Sequence, residues 1–146
     1  MIRLFLALAA ATASCSPPAS CVEDIRAQHL DERVPVAVGE LELAAELADQ
    51  QSERERGWMH RRCELEALLL IPEAAGDELP VWGCAVTTAL DVVFVRKNEV
   101  VAVDHLDPCP EPCGACPRVG TGVPVDAVLE VPHGEYAIEV GARVTW

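Results

Sequence analysis

The residues best suited to chemistry are the cysteines of one short segment, His105–Pro117, which reads HLDPCPEPCGACP. Cys109, Cys113 and Cys116 are spaced C-x3-C-x2-C. Together with His105 they supply the thiolate and imidazole ligands of a tetrahedral zinc site. Outside the cytoplasm, oxidation competes with metal capture and favours disulfides instead. Zinc and disulfides are therefore the two roles to compare.

Two other roles for these cysteines are disfavoured. The same spacing occurs in iron–sulfur enzymes that use adenosylmethionine, but such enzymes need a much larger barrel and a reducing compartment. Cys113 and Cys116 would also have the spacing of a redox pair. A reactive thiolate, however, requires a helix N-terminus or a basic neighbour, and prolines surround this pair.

The N-terminal residues predict export. After a short basic lead, Leu4–Ala13 is an uninterrupted apolar stretch, too short to cross a hydrocarbon core of about 30 Å. Ala11–Ala13 offers an ordinary signal-peptide cleavage site, whereas Thr12–Cys15 resembles the lipobox of bacterial lipoproteins. We predict a signal peptide over residues 1–14 and lipidation of Cys15, with a tether to residue 33. The alternative is a soluble periplasmic protein.

Export places the remaining cysteines in an oxidising compartment. Their number is even, which favours a disulfide framework. The six candidates are Cys21, Cys63, Cys84, Cys109, Cys113 and Cys116. Disulfides would also fasten the stretch of about twenty residues before Val125, which has no periodic pattern and is long for a compact domain. We therefore favour disulfides over the zinc site.

Composition predicts one acidic globular domain, which we place at residues 34–146. The chain has 146 residues, 51% of them hydrophobic, and a formal charge of −13. This charge argues against nucleic acid as a partner, because phosphates would be repelled, and against electrostatic docking on anionic lipid. Membrane attachment would then depend on the lipid anchor alone.

Short strands dominate the hydrophobic pattern. In Glu40–Leu47, alternate residues are apolar, as in a half-buried strand. The spacing of Ser52 and Glu55 is typical of a helical capping box. We predict one helix within residues 49–57 and strands at Val34–Val38, Glu40–Leu47, Ala67–Ile71, Val92–Val95, Val100–Val103, Val125–Val131 and Ala142–Trp146, with Asn98 in the turn of the central hairpin. These elements indicate a mainly β fold: an antiparallel β-sandwich or jelly-roll-like barrel with one short surface helix.

Three ordered segments resemble the domain of unknown function 192 family. Glu42–Asp49 followed by Glu53–Arg61 is similar to the family's strand, helix and "RGLMxR" element. Trp82 and Leu90–Val95 are similar to "FWMKNTxxPLDIxFI", and Val123–Gly134 is similar to "VPVxxxLELxxG". The resemblance covers the chain from about Val36 to Trp146 and implies a compact β-sandwich of jelly-roll type. It implies no activity, because the family has none assigned.

The resemblance also selects residues to test. Four residues stand at matching places and are our ligand-binding candidates: Arg61, Trp82, Asp91 and Glu130. Each also has a structural interpretation, namely an Arg61–Glu130 ion pair, Trp82 in the core and Asp91 at a strand end. Where the family has Met-Lys-Asn-Thr this chain has Gly83–Val86, and Ala89 replaces a proline. Any binding site built on that polar cluster is lost or remodelled here.

The resemblance further implies a disulfide pairing. Some relatives carry two cysteines in this region, the second thirteen places before the Leu of "LEL", and Cys116 lies thirteen places before Leu129. Cys109 is then its partner. Cys113 would reach Cys21, Cys63 or Cys84.

Three functions follow as hypotheses. The first is a non-enzymatic envelope module that binds a protein partner or a small ligand, with no cofactor. The second is a hydrolase-like enzyme with Asp91 and Glu130 as paired acid and base. The third is a metal-binding protein built on the Cys/His loop.

Overall fold

The computed structural model describes residues 21–74 and 76–146 of the chain. The predicted signal peptide, residues 1–14, and the predicted lipidation site, Cys15, lie outside these residues. The predicted tether is described from residue 21 onward. Within the described ranges, no helix is both long and apolar enough to cross a membrane.

The described chain forms nine strands, one short α-helix and one turn of 3-10 helix. In chain order these are β1 Arg33–Val38, β2 Leu41–Ala48, α1 Gln51–Arg56, β3 Ala67–Leu70, β4 Val81–Trp82, β5 Leu90–Arg96, β6 Glu99–Leu106, the 3-10 turn Cys113–Ala115, β7 Arg118–Val119, β8 Ala127–Pro132 and β9 Val144–Thr145. All seven predicted strands and the predicted helix are present. The sequence did not predict β4 and β7, because two residues are too few to show a period.

Seven of the strands form one sheet, in the order β6-β5-β8-β3-β2-β1-β9. Neighbouring strands are antiparallel except β2 and β3, which pair in parallel. A parallel pair requires a crossover connection, and residues 49–66, which include α1, provide it. β4 and β7 form a separate two-stranded sheet. The predicted mainly β fold with one short helix is confirmed.

The sheet closes almost completely into a barrel, because the tip of the β5–β6 hairpin meets the C-terminal segment. Lys97 and Asn98 both have positive φ, 52° and 59°, as a tight hairpin turn requires. The N–H of Val144 donates to the carbonyl of Asn98 at 2.9 Å, and that of Val100 donates to the carbonyl of Ala142 at 2.9 Å. On its other side, β9 pairs with β1.

The helix lies within the predicted residues 49–57, but its capping pair is two residues earlier than the predicted one. The backbone N–H of Gln50 donates to the carboxylate of Glu53 at 3.1 Å, which caps the first turn. The predicted cap, Ser52 with Glu55, therefore lies inside the helix. A difference of two residues is common at helix ends, where several polar side chains compete to cap.

Buried apolar residues form two layers, one on each face of the central strands. The barrel interior draws on all seven strands of the sheet, with Val36, Leu43, Leu69, Val93, Val100, Leu129 and Val144 among its members. The outer layer covers the opposite face and includes Leu68, Leu90, Val92, Phe94, Leu106 and Val128, together with Trp58 and Val81 from the covering segments. Hence β3, β5 and β8 are buried on both faces. This explains the unbroken apolar run that predicted β3.

Three disulfides hold the covering segments in place. Cys109 pairs with Cys116, the pairing that the resemblance implied. Cys113 pairs with Cys84, and Cys21 pairs with Cys63. The backbone N–H of Cys109 also donates to the carbonyl of Val86 at 3.0 Å, which fixes the cysteine loop against the segment after β4.

The disulfides correct the zinc hypothesis. The disulfides include the sulfur atoms of Cys109, Cys113 and Cys116. A zinc ligand must be a thiolate, so these three cysteines and His105 do not form the proposed tetrahedral set.

We expect the disulfides to stabilise the domain according to the length of chain that each one closes. Cys21–Cys63 spans 42 residues and Cys109–Cys116 spans 7. Replacing both cysteines of a pair by serine should lower the free energy of unfolding by about 4 kcal/mol for the first and about 2 kcal/mol for the second. Urea titration of the two double variants measures this difference. Equal losses, or a larger loss for the short loop, would contradict it.

Candidate functional site

Glu130 forms the floor of a cleft on the outer layer. It lies in β8, opposite Val92 of β5 and Leu68 of β3, and shares their side of the sheet. The residue is 1% exposed, and its Oε2 atom has no hydrogen-bond partner among the described residues. An unpaired buried polar atom costs about 1 to 3 kcal/mol. Such an atom at the floor of a cleft is a candidate ligand contact.

Burial sets the protonation state of this side chain. Desolvation penalises the charged carboxylate and raises the pKa of Glu130 to about 8. The positive charge of Arg61 opposes this shift without cancelling it. At neutral pH the carboxyl group therefore keeps its proton, and it can donate a hydrogen bond as well as accept one.

The end of α1 brings backbone atoms next to Glu130. Gly57 caps the helix with φ 44° and ψ −127°, and its N–H donates to the carbonyl of Glu53 at 2.9 Å. Side chains of L residues rarely tolerate this φ, which explains the glycine. A Cβ atom at Gly57 would stand 3.9 Å from Oε2 of Glu130. The next residue, Trp58, is buried in the outer layer and closes this side of the cleft.

Trp82 and Arg118 line the cleft from the small second sheet. They are paired residues of β4 and β7, and the guanidinium carbon of Arg118 lies 4.9 Å from the centre of the indole ring. A cation over an aromatic face at this distance is attracted to it. Trp82 is 39% exposed, so it does not fill the core as its structural interpretation predicted. Trp58, at 3% exposed, takes that place.

The cleft has a volume of about 390 Å³, which falls within the range of small-molecule sites. Its lining combines arginines with apolar and aromatic side chains around the single buried acid. The lining residues are Arg54, Glu55, Arg56, Gly57, Trp58, Met59, Leu70, Leu79, Pro80, Val81, Trp82, Val86, Arg118 and Glu130. Trp82 and Glu130 are thus the two candidate residues that the structure brings together.

The cleft has an excess of positive charge, opposite in sign to that of the whole chain: three arginines line it, against the exposed Glu55 and the protonated Glu130. The chain has only 11 lysines and arginines, yet three of the arginines lie around this cleft. The guanidinium of Arg54 donates a hydrogen bond to the carbonyl oxygen of Ile71 at 3.1 Å and lies 3.8 Å from the carboxylate of Glu73. Among the described residues, neither Arg56 nor Arg118 forms an ion pair. These two charges remain available to an anion.

Arg61 has a structural role and does not line the cleft. Its guanidinium forms a buried ion pair with the carboxylate of Glu46, and both residues are 2% exposed. Glu46 also accepts from the N–H of Leu30 at 3.1 Å and from Arg33 at 3.2 Å. The predicted ion pair between Arg61 and Glu130 is therefore wrong. Arg61 fastens the segment after α1 to β2.

The segment that departs from the family pattern is a packing element. Gly83–Val86 is buried, and Cys84 is bound to Cys113. A Cβ atom at Gly83 would stand only 3.2 Å from the side chain of Leu106, so the glycine permits this close approach. Small apolar residues fit here because the segment packs between the outer layer and the cysteine loop.

Asp91 lies on the opposite face of the sheet from Glu130. In β5 it shares a side with Val93, which packs in the barrel interior, whereas Glu130 shares a side with Val92 of the outer layer. The two carboxylates therefore do not converge in one cleft. This corrects the hypothesis of a paired acid and base.

Asp91 contacts the turn that follows β8 and lies near a histidine of β6. Its carboxylate accepts from Nδ1 of His133 at 2.7 Å and from the N–H of Gly134 at 3.0 Å. Nδ1 of His105 lies 3.9 Å away. The expectation that Asp91 pins a strand end agrees with the bond to Gly134, but the two histidines were not predicted.

Of the lining residues, only Trp82 and Glu130 were predicted from the sequence; those that were missed include Gly57, Arg56 and Arg118. Gly57 was visible in the "RGLMxR" resemblance, and its position directly after a short helix could have identified it as a cap. Arg118 gave no signal, because it belongs to a strand of two residues whose partner is distant in sequence.

Comparison with known proteins gives a family and two similar structures. Residues 34–146 match the domain of unknown function 192 family, which is described as "Uncharacterized ACR". A protein of unknown function from Novosphingobium aromaticivorans DSM 12444 is 26% identical, with a TM-score of 0.66 over 78% of this chain and 85% of that one. A "putative transcription regulator" from Sinorhizobium meliloti 1021 is 20% identical, with a TM-score of 0.69 over 81% of this chain and 96% of that one. No curated protein matches the sequence.

The raised pKa of Glu130 predicts that stability falls as pH rises. Between about 4.5, the ordinary value, and about 8, the folded protein holds a proton that the unfolded chain releases. The free energy of unfolding should decrease across this window by at most about 5 kcal/mol. Glu130→Gln should remove this contribution, whereas Glu42→Gln on the exposed face of β2 should not. Urea titrations at several pH values test this, and a slope unaffected by Glu130→Gln would contradict the assignment.

Proposed function

Because this chain belongs to the domain of unknown function 192 family, which has no assigned activity, we propose a function from the cleft: it is a non-enzymatic module that binds a small organic anion. The observation that carries the proposal is the buried carboxyl group of Glu130, which lines the cleft and whose Oε2 atom has no hydrogen-bond partner among the residues that the structure describes. A ligand that hydrogen-bonds this carboxyl group would remove the cost of leaving it unpaired.

The lining supports a ligand of one chemical kind. Arg56 and Arg118 offer positive charge at the sides of the cleft, and guanidinium groups bind carboxylates and phosphates well. The half-exposed indole of Trp82 offers an aromatic face. Glu130 is protonated at neutral pH, so it contacts a neutral polar group without repelling the anion. The ligand is therefore an anion with a planar or apolar body.

The size and surroundings of the cleft support binding rather than reaction. A volume of about 390 Å³ accommodates a small molecule. Asp91, the second carboxylate of the enzyme hypothesis, lies on the other face of the sheet. Glu130 is held among apolar residues of the outer layer, where its neutral form is a fixed hydrogen-bonding group.

We do not extend a role in transcription to this chain from the "putative transcription regulator" of Sinorhizobium meliloti 1021. At 20% identity the likeness concerns the fold. A formal charge of −13 would repel nucleic acid phosphates, and one cleft with three arginines is far smaller than a DNA-binding surface.

We expect the purified protein to bind an aromatic carboxylate such as benzoate or indole-3-acetate, measured by calorimetry and by the fluorescence of its tryptophans. Arg118→Gln removes a charge-assisted hydrogen bond and should weaken binding about 10- to 100-fold. Trp82→Ala should weaken it as well.

Arg96→Gln is the matched control, because Arg96 is an exposed arginine at the end of β5, outside the cleft. It should leave the affinity unchanged. Failure of the wild type to bind any aromatic carboxylate or aryl phosphate, or equal losses in the Arg118 and Arg96 variants, would overturn the proposal.

We further propose that the protein acts outside the cytoplasm, attached to the membrane through Cys15. Three disulfides support export, because such bonds persist in oxidising compartments. The lipobox-like Thr12–Cys15 supports the anchor. The domain would then stand on a polar tether beyond the membrane surface, where small ligands reach the cleft.

Mass spectrometry of the mature N-terminus tests the anchor. We expect a chain that begins at a lipid-modified Cys15 and sediments with membranes, and Cys15→Ser should release it into the soluble fraction. An unmodified chain that begins at Ser14, or one that keeps its leader in the cytoplasm, would exclude the anchor.

A further inference from the structure

Strands β5 and β6 and the turn after β8 bring an aspartate and two histidines together at one end of the barrel. Asp91 of β5 stands directly opposite His105 of β6, so the two side chains share a face of the sheet. Asp91 also pairs with Val131 of β8, and His133 follows two residues later on the same side. The three side chains therefore converge although up to 42 positions separate them in sequence.

We propose that Asp91, His105 and His133 form a binding site for a divalent transition-metal ion of borderline softness, such as Zn²⁺. One ligand atom from each residue lies within 4.8 Å of the other two. Two imidazoles and one carboxylate are a ligand set that such ions prefer, with positions left open for water or another ligand. This site is separate from the anion-binding cleft, which lies on the other face of the sheet.

The distances fit a metal ion after small movements. Ligand atoms around a tetrahedral zinc ion stand roughly 3.4 Å from one another. Nδ1 of His133 is 2.7 Å from Oδ1 of Asp91, and Nδ1 of His105 is 3.9 Å from the same oxygen. The two imidazole rings lie 4.0 Å apart between centres. Modest rotations of these exposed rings equalise the distances.

Neighbouring groups orient the three ligands as outer-shell partners do in metal sites. Nε2 of His105 lies 3.0 Å from the carboxylate of Asp107, which favours the tautomer that leaves Nδ1 as the free ligand atom. The N–H of Gly134 donates to Oδ2 of Asp91 at 3.0 Å, which leaves Oδ1 turned toward the histidines. Ligation through Nδ1 of His133 moves its proton to Nε2, on a side chain that is 52% exposed.

The site is accessible without being fully solvated. Side-chain exposure is 16% for Asp91, 40% for His105 and 52% for His133. The aspartate is thus held firmly while the imidazoles reach the surface. An ion can enter directly, and its open positions face the solvent. Because the cysteines of the chain's described part are paired in disulfides, thiolates do not compete for it.

Calorimetry with Zn²⁺ on the protein with its three disulfides formed tests the proposal. We expect one Zn²⁺ ion per chain in the wild type and loss of saturable binding in His105→Ala and in His133→Ala. His29→Ala is the control, because His29 is an exposed histidine outside the cluster, and it should bind as the wild type does. Asp107→Asn should weaken binding about tenfold.

Nuclear magnetic resonance of the wild type gives a second readout that does not depend on variants. Zn²⁺ should shift the imidazole nitrogen signals of His105 and His133 and leave those of His29 in place. The proposal is overturned when the wild type takes up no Zn²⁺ saturably, when both alanine variants bind like the wild type, or when the shifts fall on His29 instead.

Discussion

Burial of both faces of β3, β5 and β8 is the constraint on which the rest of the structure depends. A strand with apolar layers on either side has no solvent for a charge, so any acid on the central sheet must be paired or neutral. Glu46 meets this requirement through Arg61, at a contact shielded from water. Glu130 meets it by holding its proton. The neutral carboxyl group at the floor of the cleft is therefore a consequence of burial.

The outer layer exists only because short covering segments are fixed over the sheet. These segments contain little regular structure: α1, the two-residue strands β4 and β7, and the cysteine loop. Hydrophobic contact alone holds such pieces weakly, since each buries little area. Two disulfides hold the cysteine loop, and a third ties the segment after α1 to Cys21; Cys84 of one of the two bonds lies two residues after Trp82, and Cys116 of the other lies two residues before Arg118. Disulfide bonds therefore contribute more than regular secondary structure to holding the covering segments that line the cleft.

The hydrophobic pattern of the sequence predicted the strands well, because the pattern of each strand reflects whether its two faces are buried or exposed. The alternation in Glu40–Leu47 follows from one buried and one exposed face, and the unbroken run Ala67–Ile71 follows from two buried ones. Neither pattern says which strands become neighbours, so the parallel pairing of β2 with β3 was missed. For the same reason the sequence did not predict that His105 lies near His133, since their proximity depends on the strand order β6-β5-β8. The family resemblance identified Glu130 but not Arg118 on the same cleft, because Arg118 belongs to a strand too short to predict.

The closure of the barrel depends on very few residues. β9 contributes two residue pairs to β1, and the hairpin tip adds a handful of backbone hydrogen bonds around Asn98 and Val144. By contrast, β5 and β8 share six consecutive pairs between two apolar layers. We therefore expect local unfolding to begin at the contact between β9 and its neighbours, before β5 separates from β8. Opening of β9 would leave β1 and β6 as the two unpaired edges of the sheet.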